Sequence, residues 1–77
     1  MEDIKVFFAK QLKKLRIAKG LSQEQLALLA GLNRTYISKI EKAKRNITLE
    51  TVQKLASALG IHYREFFNCD VDFEEGS

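Results

Sequence analysis

A chain of 77 residues has room for one small hydrophobic core and none for a second domain. Its single cysteine, Cys69, excludes an internal disulfide. With no apolar run near the roughly 20 residues of a bilayer span and no signal-like N-terminus, the expected setting is the cytosol, away from any membrane. The net charge of +3 is divided unevenly: residues 1–45 carry eleven Lys/Arg and four Asp/Glu, whereas residues 46–77 carry two and six. That suits a polyanion-binding face in the first part and a second surface with another use in the rest.

Residues 3–19 predict a first helix. Phe8, Leu12 and Leu15 recur at helical spacing, with Ile4 one turn earlier. Asp3 and Lys19 complement the helix dipole and Gly20 ends the helix, while Lys10, Lys13 and Lys14 face outward. Ser22 and Gln25 form an S-x-x-Q capping box for a second helix over 22–30, whose apolar face is Leu26, Ala27, Leu29 and Ala30. Gly31 stops that helix where the backbone must take positive φ. Asn33 caps a third helix over 34–42, in which Ile37 and Ile40 face inward and Arg34, Thr35, Ser38 and Lys39 point elsewhere.

Lys42, Ala43, Lys44, Arg45 and Asn46 make a basic loop suited to phosphate contact. Thr48 then caps a fourth helix with Leu49, Val52, Leu55, Ala56 and Leu59 as its buried stripe; Gly60 closes it and Ile61 folds back. A short fifth helix is expected near 63–68. Four of the seven aromatic residues (Tyr63, Phe66, Phe67 and Phe73) fall after residue 60, more than a small core needs and enough to suggest self-association. Residues 70–77, DVDFEEGS, read as a frayed acidic tail, which leaves 1–69 as the folded domain. Catalysis has no support: His62 has no partner at nucleophilic or ligand spacing, Cys69 has no nearby His or second Cys, and no Gly-rich phosphate loop occurs. No enzyme activity, metal or cofactor is expected.

The joint between the second and third helices is the most informative stretch. Ala27 stands four residues before Gly31, where a small side chain lets two helices approach, and Leu26, Ala30, Leu32, Ile37 and Ile40 hold them at a fixed angle. Over residues 23–42, QEQLALLAGLNRTYISKIEK resembles the helix-turn-helix of Cro/CI-type, or XRE-like, regulators. The resemblance extends over roughly residues 8–67. The run RTYISKIEKAKRNITLE is similar to the short controller proteins of restriction–modification systems.

The resemblance implies an all-α, compact, lambda-repressor-like DNA-binding domain of five helices. It implies a transcriptional regulator that binds a palindromic operator in double-stranded DNA as a homodimer. Only the outer face and first turn of a recognition helix reach base edges in the major groove, so Arg34, Thr35, Ser38 and Lys39 are the candidate base contacts. Arg34 suits a bidentate contact to guanine, although Arg34 and Lys39 could instead hold phosphates. Tyr36 either packs its ring back and sends its hydroxyl to a phosphate, or reads a base. Lys42, Lys44, Arg45 and Asn46 are candidate phosphate contacts, as is Gln23, which resembles the family's phosphate-clamping Gln at a helix N-terminus. Glu24 could meet a basic patch on RNA polymerase. In the family an Arg at position 16 pairs with a Glu at position 41, a structural tie between the first and third helices.

In related short regulators the region around helices 4 and 5 forms a two-fold dimer, which makes Ile47, Ile61, Tyr63 and Phe67 candidates for an interface as well as for the core. Two positions depart from the family, which commonly has Gly where Ala43 stands and Pro where Ile47 stands. Alanine resists positive φ, so the cap there should be strained, displaced by a residue or replaced by an irregular turn. The rival reading is a protein-binding module or antitoxin subunit that uses its aromatic C-terminal surface. Salt separates the two, because binding through six to ten phosphates should lose about 10³–10⁵ in affinity between 50 and 200 mM salt.

Overall fold

Every helix among the described residues starts at a side chain that accepts from one of its first free N–H groups. In the computed structural model, which describes residues 1–68, the order is α1 (Ile4–Ala18), α2 (Gln23–Ala30), α3 (Arg34–Glu41), α4 (Leu49–Leu59) and a 3-10 turn (Tyr63–Phe66). Cys69 and the expected acidic tail, 70–77, lie outside the described residues. Asp3 caps α1 by accepting from the Lys5 N–H at 2.8 Å, and that bond holds its carboxyl below the ordinary carboxylate range. Ser22 and Gln25 complete the capping box of α2 in both directions, at 3.0 and 2.8 Å. Asn33 caps α3 and Thr48 caps α4 in the same manner.

The core is one layer of side chains where these helices meet. Leu12, Leu26, Ile37, Leu55 and Phe66 are the largest wholly buried groups, one or more from each element. Burying each such side chain stabilises the fold by about 1.5–3 kcal/mol. α2 packs against both α3 and α4, and α1 lies across α3, so the two helices of the motif are held from both sides. Phe66 enters between α1 and α4, its ring 4.8 Å from that of Phe8.

That last contact corrects the expectation of five helices. The described residues hold four α-helices, and the chain after Gly60 forms a single 3-10 turn with i→i+3 bonds from Glu65 to His62 and from Phe67 to Arg64, both 2.9 Å. One turn is too short to recover the cost of helix nucleation, and aromatic residues are weak helix formers. The insertion of Phe66 into the core fixes the turn instead.

Three apolar residues assigned to buried stripes are exposed. Ile4 and Leu49 are the first residues of α1 and α4 and project past the elements that cover those helices; Leu49 keeps 88% of its surface in water. Thr51, not Leu49, completes the buried side of α4. Leu29 lies about 100° round α2 from the centre of Leu26, Ala27 and Ala30, outside the stripe that meets the core.

The C-terminal ends of α2 and α3 are closed by the same backbone geometry from different residues. After α2, Gly31 takes φ 69° and the Leu32 N–H reaches back to the Ala27 carbonyl at 2.9 Å. After α3, Ala43 takes φ 59° and the Lys44 N–H reaches back to the Lys39 carbonyl at 2.9 Å. The cap is therefore neither displaced nor irregular: alanine adopts the left-handed conformation, at a cost of about 1–2 kcal/mol.

Candidate nucleic-acid interface

The outward face of the motif begins with α3. Its inner residues, Ile37 and Ile40, are buried, which fixes the rotation of the helix and turns Arg34, Thr35 and Lys39 fully outward. Ser38 lies in the same row but is half-buried. Arg34 and Thr35 occupy the first turn, where the Asn33 side chain accepts from the Thr35 N–H at 2.7 Å and holds the turn in place. Lys42, Lys44, Arg45 and Asn46 are exposed and continue the polar surface round the end of the helix.

Beneath this face lies a buried ionic network. Arg16 of α1 donates from Nε and Nη2 to the two carboxylate oxygens of Glu41, at 2.7 and 3.0 Å, and from Nη1 to the Leu21 carbonyl at 2.8 Å. The Arg16 and Glu41 side chains keep only 11% and 4% of their surface. The fork-to-fork geometry satisfies both groups, so the charges are buried without an orphan donor or acceptor. The pair ties the last turn of α3 to α1 and so sets how the recognition face stands on the domain.

Gln23 joins the same network. Its amide Nε2 donates to Glu41 Oε1 at 3.1 Å, and the side chain is half-buried at the start of α2. Its position in the first turn of α2 keeps it at an anion-favouring helix end. The structure thus gives Gln23 a bond the sequence did not indicate, linking the first turn of α2 to the last turn of α3. Glu24, its neighbour, is exposed.

Tyr36 is half-buried on the flank of α3. Its hydroxyl lies 3.4 Å from Thr51 Oγ1 on α4, and the Arg45 guanidinium stands over its ring at 4.8 Å from the centroid. Asn33, Thr35, Tyr36 and Arg45 line one open hollow beside the first turn of α3. Arg45 is therefore brought to the recognition helix by cation–π contact, while Lys42 and Lys44 remain free of ion pairs within the described residues.

The apolar candidates gather elsewhere. Ile47, Phe67, Leu49, Val52 and Ile4 border a shallow groove between α1 and α4, and Tyr63 lines its continuation along α4. Tyr63 and Phe67 are half exposed, and Phe67 stacks on Phe7 at 6.2 Å. Ile61 lines neither part and, like Ile47, is half-buried against the core. Leu49 and Ile4 are the residues that sequence reasoning missed on this surface. Their positions as first helical residues, past the reach of a neighbouring helix, were the available signal.

A family model described as helix-turn-helix matches residues 12–66. The control protein C.MunI of a Mycoplasma species is 47% identical over 75 residues, which cover 96% of this chain and 100% of that protein. The restriction–modification controller protein C.AhdI of Aeromonas hydrophila superposes with a TM-score of 0.80 at 51% identity, over 82% of this chain and 96% of that one. The controller protein C.Esp1396I, solved as a tetramer in complex with its natural 35 base-pair operator, superposes with a TM-score of 0.80 at 34% identity, over 87% of this chain and 88% of that one.

Proposed function

This chain belongs to the helix-turn-helix family, and on that premise we propose that it is a sequence-specific transcriptional regulator of the restriction–modification controller kind, binding operator DNA as a homodimer. Its relatives are regulators, not catalysts. The observation that carries the reading is the row of Arg34, Thr35, Ser38 and Lys39, presented by a helix whose opposite side is locked into the core and tied to α1 by the Arg16–Glu41 pair. Preorganised donors on a rigid helix are what major-groove readout requires.

In this reading α3 enters the major groove, with Arg34 on a guanine and Thr35, Ser38 and Lys39 on neighbouring base edges. Tyr36, Lys42, Lys44, Arg45 and Asn46 hold phosphates on one side, and the α2 N-terminus with Gln23 holds one on the other. A second copy docks on the groove bordered by Ile47, Leu49, Tyr63 and Phe67, which sets two recognition helices about one DNA turn apart. Exposed Glu24 is available to RNA polymerase. The place of action is the cytosol; no helix among the described residues is long and apolar enough to cross a membrane.

Selection of bound sequences from a random DNA pool at about 150 mM salt tests the reading under near-physiological screening. A two-fold symmetric motif is expected, with a spacing that reports the dimer geometry. No enrichment at any salt would replace the proposal with that of a protein-binding module acting through the aromatic surface.

A further inference from the structure

We propose that Thr48 and Thr51, which lie outside the helix-turn-helix, form a directed hydroxyl relay that turns the Tyr36 O–H outward to donate to a DNA phosphate. The relay begins at a backbone amide, which can only donate. The Thr51 N–H gives its proton to Thr48 Oγ1 at 3.0 Å, and the Thr48 hydroxyl gives its own to Thr51 Oγ1 at 3.1 Å. Thr51 Oγ1 then still holds its own proton; aimed at the Tyr36 oxygen 3.4 Å away, that proton frees the phenolic one to point away from the protein. Thr51 keeps only 8% of its surface, so bulk water does not readily take its place in the chain.

The outward direction leads to a place fit for an anion. Tyr36 shares its open hollow with Thr35, Asn33 and Arg45, and the Arg45 guanidinium is already stacked on the Tyr36 ring. A hydroxyl that accepts a hydrogen bond donates a stronger one, and a guanidinium beside it adds a charge-assisted partner for the same phosphate. Thr48 and Thr51 are thus positioning residues: they touch no DNA and act through Tyr36. The inference rests on the proposed DNA-facing role of the α3 surface.

The test is a mutant cycle on the DNA sequence selected by the unaltered protein, with thermal stability measured for each variant. Thr51→Val removes the hydroxyl at nearly the same shape and should weaken binding about two- to tenfold, the value of one hydrogen bond between neutral groups. Thr51→Ser, which restores the hydroxyl, should bind like the unaltered protein. Tyr36→Phe should lose at least as much, and adding Thr51→Val to it should cost nothing more. Thr51→Val binding at full strength, or losing the same factor again in the Tyr36→Phe background, overturns the relay. Full-strength binding by Tyr36→Phe alone instead overturns the underlying phosphate contact.

Thr48→Asp serves where Thr51→Val lowers stability. It keeps an acceptor for the Thr51 N–H, and thus the α4 cap, but has no proton to give, so the Thr51 hydroxyl turns back toward it. Its loss of affinity should be larger with Tyr36 than in the Tyr36→Phe background, where only the added charge is felt. Equal losses in both backgrounds overturn the relay.

Discussion

The α3 face and the groove between α1 and α4 are built on opposite principles. The α3 face is polar outside and rests on a buried network in which Arg16, Glu41, Gln23 and Leu21 satisfy one another. The groove between α1 and α4 is apolar outside, and its most exposed apolar member, Leu49, keeps 88% of its surface in water. The first surface is rigid before it meets anything, which suits recognition of a fixed pattern of donors and acceptors. The second is apolar area awaiting cover, which suits a second copy of a chain too small to bury much by itself. The two meet at Arg45, which lines both the hollow beside α3 and one end of the groove.

Removing the support of the polar face should have the largest effect. Glu41→Ala leaves the Arg16 guanidinium buried without its partner and should cost about 3–5 kcal/mol. For a domain of this size that lowers the melting temperature by at least about 10 °C, a shift that calorimetry or circular dichroism would resolve. An unchanged melting temperature would mean that the network carries no weight.

The apolar face should break next. Phe67→Asp puts a charge in the groove while half of that side chain is already in water, so the helices should persist as circular dichroism sees them. Sedimentation should then report monomers. A protein that unfolds would instead make Phe67 a core residue, and one that stays dimeric would move the interface elsewhere.

Arg34→Ala touches only the outer layer of the polar face. It should leave stability unchanged and remove about 1–3 kcal/mol of discrimination at one base pair, read by comparing affinities for single-site operator variants. A uniform loss across all sequences would assign Arg34 to a phosphate. The smallest effect should come from the exit of α3. Ala43→Gly relieves the left-handed strain but loosens the unfolded chain, for a net gain of about 0.5–1 kcal/mol in the unfolding free energy. Denaturant titration would show a higher midpoint, and a fall would mean that the alanine methyl group packs usefully at that turn.

Much of the fold was legible in the chain because its signals are local. The capping box at Ser22 and Gln25, the caps at Asn33 and Thr48, and the stops at Gly31 and Gly60 each depend on a few consecutive residues. The row Arg34, Thr35, Ser38 and Lys39 was legible for the same reason, since burial of Ile37 and Ile40 three residues apart leaves those side chains elsewhere. The Arg16–Glu41 tie was reachable only through resemblance to a family, because nothing local joins residues 25 positions apart.

The remaining features needed the packed molecule. Residues 63–66 became a 3-10 turn because Phe66 is drawn onto Phe8, a contact set by where α1 and α4 place their ends. Leu49 and Ile4 are exposed because, among the described residues, no other element reaches past the first residues of their helices. The bond from Gln23 to Glu41 and the contact from Thr51 to Tyr36 cross between helices, where spacing along the chain carries no information. The sequence by itself determined where helices start, stop and turn their apolar sides, since those are settled by nearest neighbours. Only the tertiary structure decided which apolar residues stay in water and which polar ones meet, because both depend on surfaces contributed by distant parts of the chain.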